Sequence, residues 1–541
     1  MKRGVRLSPT LKGYGMEKST SDILWVLVSS GLVFLMQAGF LALETGLTRS
    51  KNNIGIAIKN LTDIGVSIVL FWAFGYALMF GASRLGWVGT TSFFPDLTGP
   101  GVWFAVFLLF QVMFCGTAVT ILSGAVAERL RFGSYVVLTI LVSGLIYPLF
   151  GHWAWNGLGT GLASGWLGRL GFVDFAGSTV VHSLGGWVSL ATLLVVGPRT
   201  GRFPPDGPPA KIQGANLPIA VLGVMLLWLG WFGFNGGSTL AMDGAVPYVI
   251  TNTILGGAGG MILTLVVGWL LWGRAETRFV INGLLAGLVA ITANAQSVSS
   301  AAALLIGGLG GVVMLGLSHL LERWRIDDAV DAVPVHLGAG LWGTLAVAFF
   351  GKAELLGTGL TLWGQLQIQL LGILVCFVWA FGLSYGLIKL INRWRPLRVS
   401  SEDEAIGLNV SEHGATTDLL ELFRVMDHQS KQGDLRLRAP VEPFTEVGLI
   451  ADRYNQVMAA LEQAVTRTRA IVTTALDGII TFSRDSLTIM TLNPAAEAMF
   501  GYSSGQIIGQ PIIKLFAEPT GNPIRSPENN AQFLAEIAQS E

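Results

Sequence analysis

Charge is scarce in this sequence. Only 13% of its 541 residues are charged, against 52% hydrophobic residues and a mean hydropathy of +0.59. That balance excludes an ordinary soluble globular chain and makes lipid the expected solvent for most of the polypeptide. The scarcity is uneven, with 30 charged residues from Asp22 to Lys389 and 32 in the much shorter stretch from Asn392 to Glu541. Neither sign predominates, because 34 Lys and Arg balance 34 Asp and Glu, and nucleic acid, which calls for a basic face, is excluded as a partner. Cysteine is limited to Cys115 and Cys376, both inside apolar runs, which leaves no disulfide framework or thiolate metal site and makes packing their expected role. No nucleophile–base pair or metal-ligand cluster stands out, so no enzyme activity, metal or cofactor is expected. Residues 1–21 form an N-terminal extension with five Lys and Arg and no apolar run, unlike a secretory leader, and Met16 offers an alternative start.

Long apolar stretches are what the chain has in quantity. A helix needs roughly 20 residues to cross the hydrocarbon core, and eleven candidates occur at 23–44, 54–82, 102–127, 133–157, 176–197, 214–234, 248–272, 279–298, 300–322, 335–351 and 361–391. Basic residues concentrate in alternate loops: Arg49 and Lys51, Arg129 and Arg131, Arg199 to Lys211, Arg274 and Arg278, Arg323 and Arg325. Basic loops stay on the cytoplasmic side, which puts the C-terminus inside and the N-terminus outside a plasma membrane, against the pull of the N-terminal basic residues. Glycine is abundant, at 70 residues, and the run Gly256-Gly257-Ala258-Gly259-Gly260 predicts close helix packing in lipid rather than a phosphate loop.

Two segments share a pattern. Asp174 precedes Val181-His182 and Asp328 precedes Val335-His336, with eight residues from Asp to His in each. The expected spans that contain them run in opposite directions, as in an inverted repeat whose site lies at the bilayer midplane. The predicted fold is therefore an all-α polytopic membrane protein with eleven transmembrane helices, five plus five inverted and one extra. Each Asp stands where a helix begins and is a candidate N-cap, with its His two turns deeper. A lone histidine in an apolar helix is more often a hydrogen-bonded packing residue than a site, and His152 near an interface, His319 near the end of a span, and His413 and His428 in the soluble tail are weaker candidates. Two in mirrored positions within spans are functional candidates.

The segments Gly39–Asn52, Phe110–Phe114, Gly124–Arg129, Asp174–His182, Trp231–Ser238 and Asp328–His336, in this order and on these spans, resemble the ammonium transporter (Amt/Mep/Rh) family over roughly residues 22–414, with a membrane domain expected at 22–400. The resemblance implies an outer site for ammonium at Phe114, Trp155 and Ser238, a gate of Phe114 on Phe234, and a pore lined by His182 and His336, supported by Asp174 and Asp328. Ammonium would lose a proton at the gate and cross as ammonia, with either a gas channel or an electrogenic transporter as the result. A homotrimer and a PII-type signalling partner are further implications. Leu43-Glu44 departs from the aromatics that some members carry there, and Glu44 with Lys59 is read as an ion pair with a packing role.

Residues 401–465 form an expected cytoplasmic tail and a helix–connector–helix linker that resembles a HAMP unit. From residue 466 to 541, Leu476–Ile480, Asn493–Ala496 and Phe500–Tyr502 resemble a PAS sensor lacking its last strands, as in a fragment of a longer signalling protein. An ammonium receptor that passes binding on to these segments is the competing reading.

Overall fold

The computed structural model describes residues 18–98, 101–158, 163–274, 276–416, 418–443 and 445–516. Residues 1–17 of the expected 1–21 extension and residues 517–541 of the PAS-like segment lie outside them. The first of two compact units runs to Ala415, and its frame is helical. Among the described residues ten helices are long and apolar enough to cross a membrane: α1 Thr20–Leu47, α2 Ser50–Phe80, α3 Val102–Ala125, α4 Phe132–Trp155, α5 Ser178–Val196, α6 Leu217–Gly237, α7 Ala245–Trp272, α9 Ser300–Arg323, α10 Val333–Phe350 and α11 Leu362–Trp394. Between α7 and α9 lies the shorter apolar helix α8, Thr277–Thr292. These match the eleven expected spans to within a few residues, except that α8 stops six residues early. There the carbonyls of Thr292 and Ala293 turn aside to accept the N–H groups of Ala176 and Phe175, just ahead of α5.

Small residues set how closely these helices approach. A Cβ on Gly307 of α9 would stand 1.9 Å from the carbonyl oxygen of Gly256 on α7, and one on Gly260 would stand 2.2 Å from that of Gly283 on α8. The glycine run therefore brings three backbones into contact, as dispersion-driven packing in lipid requires. Gly223 of α6 plays the same part against α1, where a Cβ would lie 2.4 Å from the Leu43 nitrogen. Cys115 and Cys376 are free and buried, as packing residues would be.

Past α11 the chain turns back along the bundle end. Residues Leu130 and Arg398 form an antiparallel bridge, and two short helices follow, α12 Ser401–Ile406 and α13 Leu408–Ser411. The Asn409 side chain accepts the N–H groups of Ile54 and Gly55 and donates to the Ser50 carbonyl, while Glu404 accepts from Thr200 and pairs with Arg398 at 2.6 Å. The tail thus binds the start of α2 and the α3–α4 and α5–α6 loops together.

The second unit begins at Thr416. Helices α14 Asp418–Gln432 and α15 Glu446–Thr474 pack around Leu422, Ala439 and Ala451, the expected helix–connector–helix order. The strands Ile480–Phe482 and Ile489–Leu492 pair antiparallel. Asn493 then caps the helix Pro494–Phe500 by accepting the Ala496 N–H.

Candidate functional site

Helix starts position the central residues. The Asp174 carboxylate accepts the N–H groups of Gly177, Thr179 and Val180 at 2.8–3.0 Å, and that of Asp328 accepts Val333 at 2.6 Å and Val330 at 3.3 Å. Each Asp satisfies donors that a helix start leaves unpaired. Both helices open in the wide i→i+5 form, over Ser178–Ser183 and Val333–Gly338. Such turns shift side-chain direction and gather at functional sites. Each segment carries its histidine, and the two meet with Nδ1 atoms 3.2 Å apart and ring planes 15° from parallel. His182 is completely buried, and among the described residues no group bonds its Nε2.

On one side of this pair stand the aromatics. Phe114 and Phe234 stack with centroids 4.1 Å apart, and Trp155 meets the edge of Phe114 at 6.1 Å. The Trp155 indole donates to the Asp174 carbonyl at 2.7 Å, so the helix cap and the aromatic wall share a residue. Ser238, half-buried beyond the stack, donates its hydroxyl proton to the Phe234 carbonyl at 2.8 Å. Its oxygen lone pairs remain available to an N–H donor. Phe114, Trp155, Phe234, Ser238, His182 and His336 thus fall in one column, with Asp174 and Asp328 at its helix starts.

Three features escaped the sequence reading. Trp231 stacks on His182 at 5.1 Å and bonds Thr292. Its spacing of three from Phe234 and seven from Ser238 puts all three on one helix face, a signal that was readable. Glu44 makes no ion pair with Lys59. Its Oε2 accepts from Asn60 and Ser123 at 2.9 and 2.8 Å, while Lys59 donates to the Leu130 carbonyl. In lipid each buried group takes the nearest strong partner, and for Lys59 that is a backbone oxygen left free past the end of α3. The third is a buried ionic lattice at the tail end of the bundle. Glu128 takes Arg49 at 2.5 Å and Arg199 at 3.3 Å, and Asp327 takes Arg199 at 2.8 Å with Arg202 and Arg129 alongside. Burial would raise the Asp327 carboxyl, but the Arg199 bonds and charge outweigh it and hold it well below the usual carboxylate range.

Comparison with known proteins identifies the family. A family model described as Ammonium Transporter Family matches residues 24–418, and a PAS domain model matches residues 466–535. A putative ammonium transporter of Synechocystis sp. is 57% identical over 445 residues, 82% of either chain. Ammonium transporter Amt2 of Archaeoglobus fulgidus is 40% identical over 73% of this chain and 87% of its own. Among solved structures, a Sensor Amt Protein superposes with a TM-score of 0.70 at 41% identity, covering 73% of this chain and 98% of that one. Candida albicans Mep2 gives 0.66 at 27% identity, covering 73% and 91%.

Proposed function

This chain belongs to the ammonium transporter family and is a multi-pass membrane protein, and from that premise we propose that it conducts ammonia stripped from ammonium at an aromatic mouth. The observation that carries this is the imidazole pair, buried directly behind a closed phenylalanine stack. Ammonium is held first by Trp155 and Phe114, whose ring faces attract a cation by about 0.5–2 kcal/mol each, and by the Ser238 oxygen. That oxygen discriminates against potassium, which has no N–H to donate. A bare cation at mid-membrane costs at least ~2.5–3.5 kcal/mol, so the proton comes off before the stack and the uncharged base passes. In the neutral imidazole pair one Nδ1 donates to the other, which leaves one Nε2 as acceptor and the other as N–H donor. An amine, which both donates and accepts, is matched by such a pair.

The mouth faces outward and the tail inward, by the distribution of basic loops. The working assignment is a membrane domain at 22–400, a tail and HAMP-like linker at 401–465 and a PAS-like sensor at 466–541. A homotrimer and a PII-type partner at residues 407–414 follow from the family resemblance. Reconstituted into proteoliposomes, the protein is expected to take up methylammonium and exclude potassium. A His182→Ala variant that did both at the wild-type rate would overturn the role given to the pair.

The PAS match favours a second reading, an ammonium receptor, and one solved relative is named a sensor. Ammonium binding without flux in the same vesicles would select it.

A further inference from the structure

Behind His336, on the side away from the phenylalanine stack, lies a small cavity of about 20 Å³ lined by His336, Phe40, Leu43, Val330, Gly124 and Glu44. Its one carboxylate belongs to Glu44. The two hydrogen bonds to Asn60 and Ser123 both fall on Oε2. The other oxygen, Oε1, lies beside Gly124, 3.2 Å from where a Cβ on that residue would stand. The same Cβ would stand 2.7 Å from Val330 Cγ2, so any larger residue at 124 would press on both the cavity wall and Oε1. Residues 328–332 line this cavity and, through alternate positions, a larger one of about 740 Å³ at the tail end of the bundle. The small cavity thus lies between His336 and that vestibule.

A purely mechanical role, joining α1 to α2 and α3, does not call for an acid. A buried carboxylate within a span is costly, and a neutral amide would hold Asn60 and Ser123 at lower cost. Among the described residues no ion pair offsets it, because Lys59 is turned to Leu130.

We propose that Glu44 hands a proton to ammonia as it leaves the pore, so that each cycle carries one ammonia and one proton. This rests on the conduction reading above. An N–H bond of ammonium breaks at the mouth, and its proton crosses the imidazole pair to the Glu44 carboxylate, forming an O–H bond. That O–H bond breaks as an N–H bond forms on ammonia arriving in the cavity, and ammonium leaves past residues 328–332. One ammonium enters, one leaves, and the carboxylate is restored. Glu44 is by this assignment a catalytic residue of the transport cycle.

The test uses the full chain in proteoliposomes, with ammonium-evoked current, labelled methylammonium uptake and lumenal pH read in parallel. Glu44→Gln keeps an acceptor for Asn60 and Ser123, and its thermal melt in detergent checks that it folds. It is expected to lose current at least tenfold, to lose uptake by a clearly smaller factor, and to turn the lumen alkaline, since ammonia then arrives without its proton. Glu44→Asp, which retains the acid, is expected to recover at least a third of the current. Wild-type current in Glu44→Gln, loss of uptake and current in equal proportion, or wild-type uptake that carries no current would each overturn the proposal while leaving conduction intact. Wild type with neither uptake nor current would overturn the conduction reading, and this proposal with it.

Discussion

Ser238 uses its hydroxyl proton on the Phe234 carbonyl, and that bond fixes what it offers to a ligand: an acceptor and nothing else. Its contribution to the proposed capture of ammonium is one hydrogen bond to a charged donor, about 1.5–3 kcal/mol. Ser238→Ala is accordingly expected to raise the ammonium concentration for half-maximal uptake by roughly tenfold or more, at little change in maximal rate, in concentration-dependent uptake assays. Unchanged affinity would remove Ser238 from the site. Asp327 illustrates a different residue-scale effect. Its folded-state carboxyl is depressed by Arg199, so it stabilises the fold fully above the ordinary value of about 4 and loses that contribution as pH falls through the depressed value. The melting temperature in detergent is expected to hold from pH 8 to 5 and fall below about 4. Asp327→Asn is expected to lower it at pH 7, by the ~3–5 kcal/mol that removing one partner of a buried pair costs, and to flatten the acid limb. None of this lattice was legible beforehand. Glu128, Arg199 and Asp327 sit in loops far apart in sequence, and loop charges read as solvated until packing brings them together.

At the scale of elements, the spans were legible because lipid leaves a backbone little choice but helix, and each needs a long apolar run. The histidine pair was legible because its pattern occurs twice. The wide turns that open α5 and α10 were not, since nothing in Ser178–Ser183 or Val333–Gly338 distinguishes an i→i+5 bond from an i→i+4 one. Glycine spacing was read as packing, and α9 supplies an internal control for it. Gly307 has no room for a Cβ against Gly256, whereas Gly316, on the same helix, has nothing within 4 Å. Gly307→Ala is expected to destabilise by about 1–3 kcal/mol through overpacking. Gly316→Ala is expected to be neutral or to stabilise by up to ~1 kcal/mol through helix propensity. Equal melting shifts for the two would mean that α7 and α9 are not held by backbone contact.

For the whole molecule the tail is the informative boundary. The family match runs to residue 418 and the first compact unit to Ala415, so the folded membrane part includes α12 and α13 as well as the helices. Charge density alone set the change of regime near residue 392, and it separated the tail from the loops that the tail in fact binds. Two truncations distinguish these boundaries. A chain ending after Ala415 keeps the bonds of Glu404 and Asn409 to the Thr200 loop and to Ser50–Gly55 at the start of α2 and is expected to take up methylammonium at close to the full-length rate. A chain ending after Arg395 loses them together with the Leu130–Arg398 bridge, freeing the loops that carry the Glu128–Asp327 lattice. Its melting temperature and uptake are expected to fall together. Full uptake by the shorter chain would reduce the tail to a tether, whereas loss of uptake at Ala415 would make the linker and PAS-like segment part of the transport machinery and favour the receptor reading.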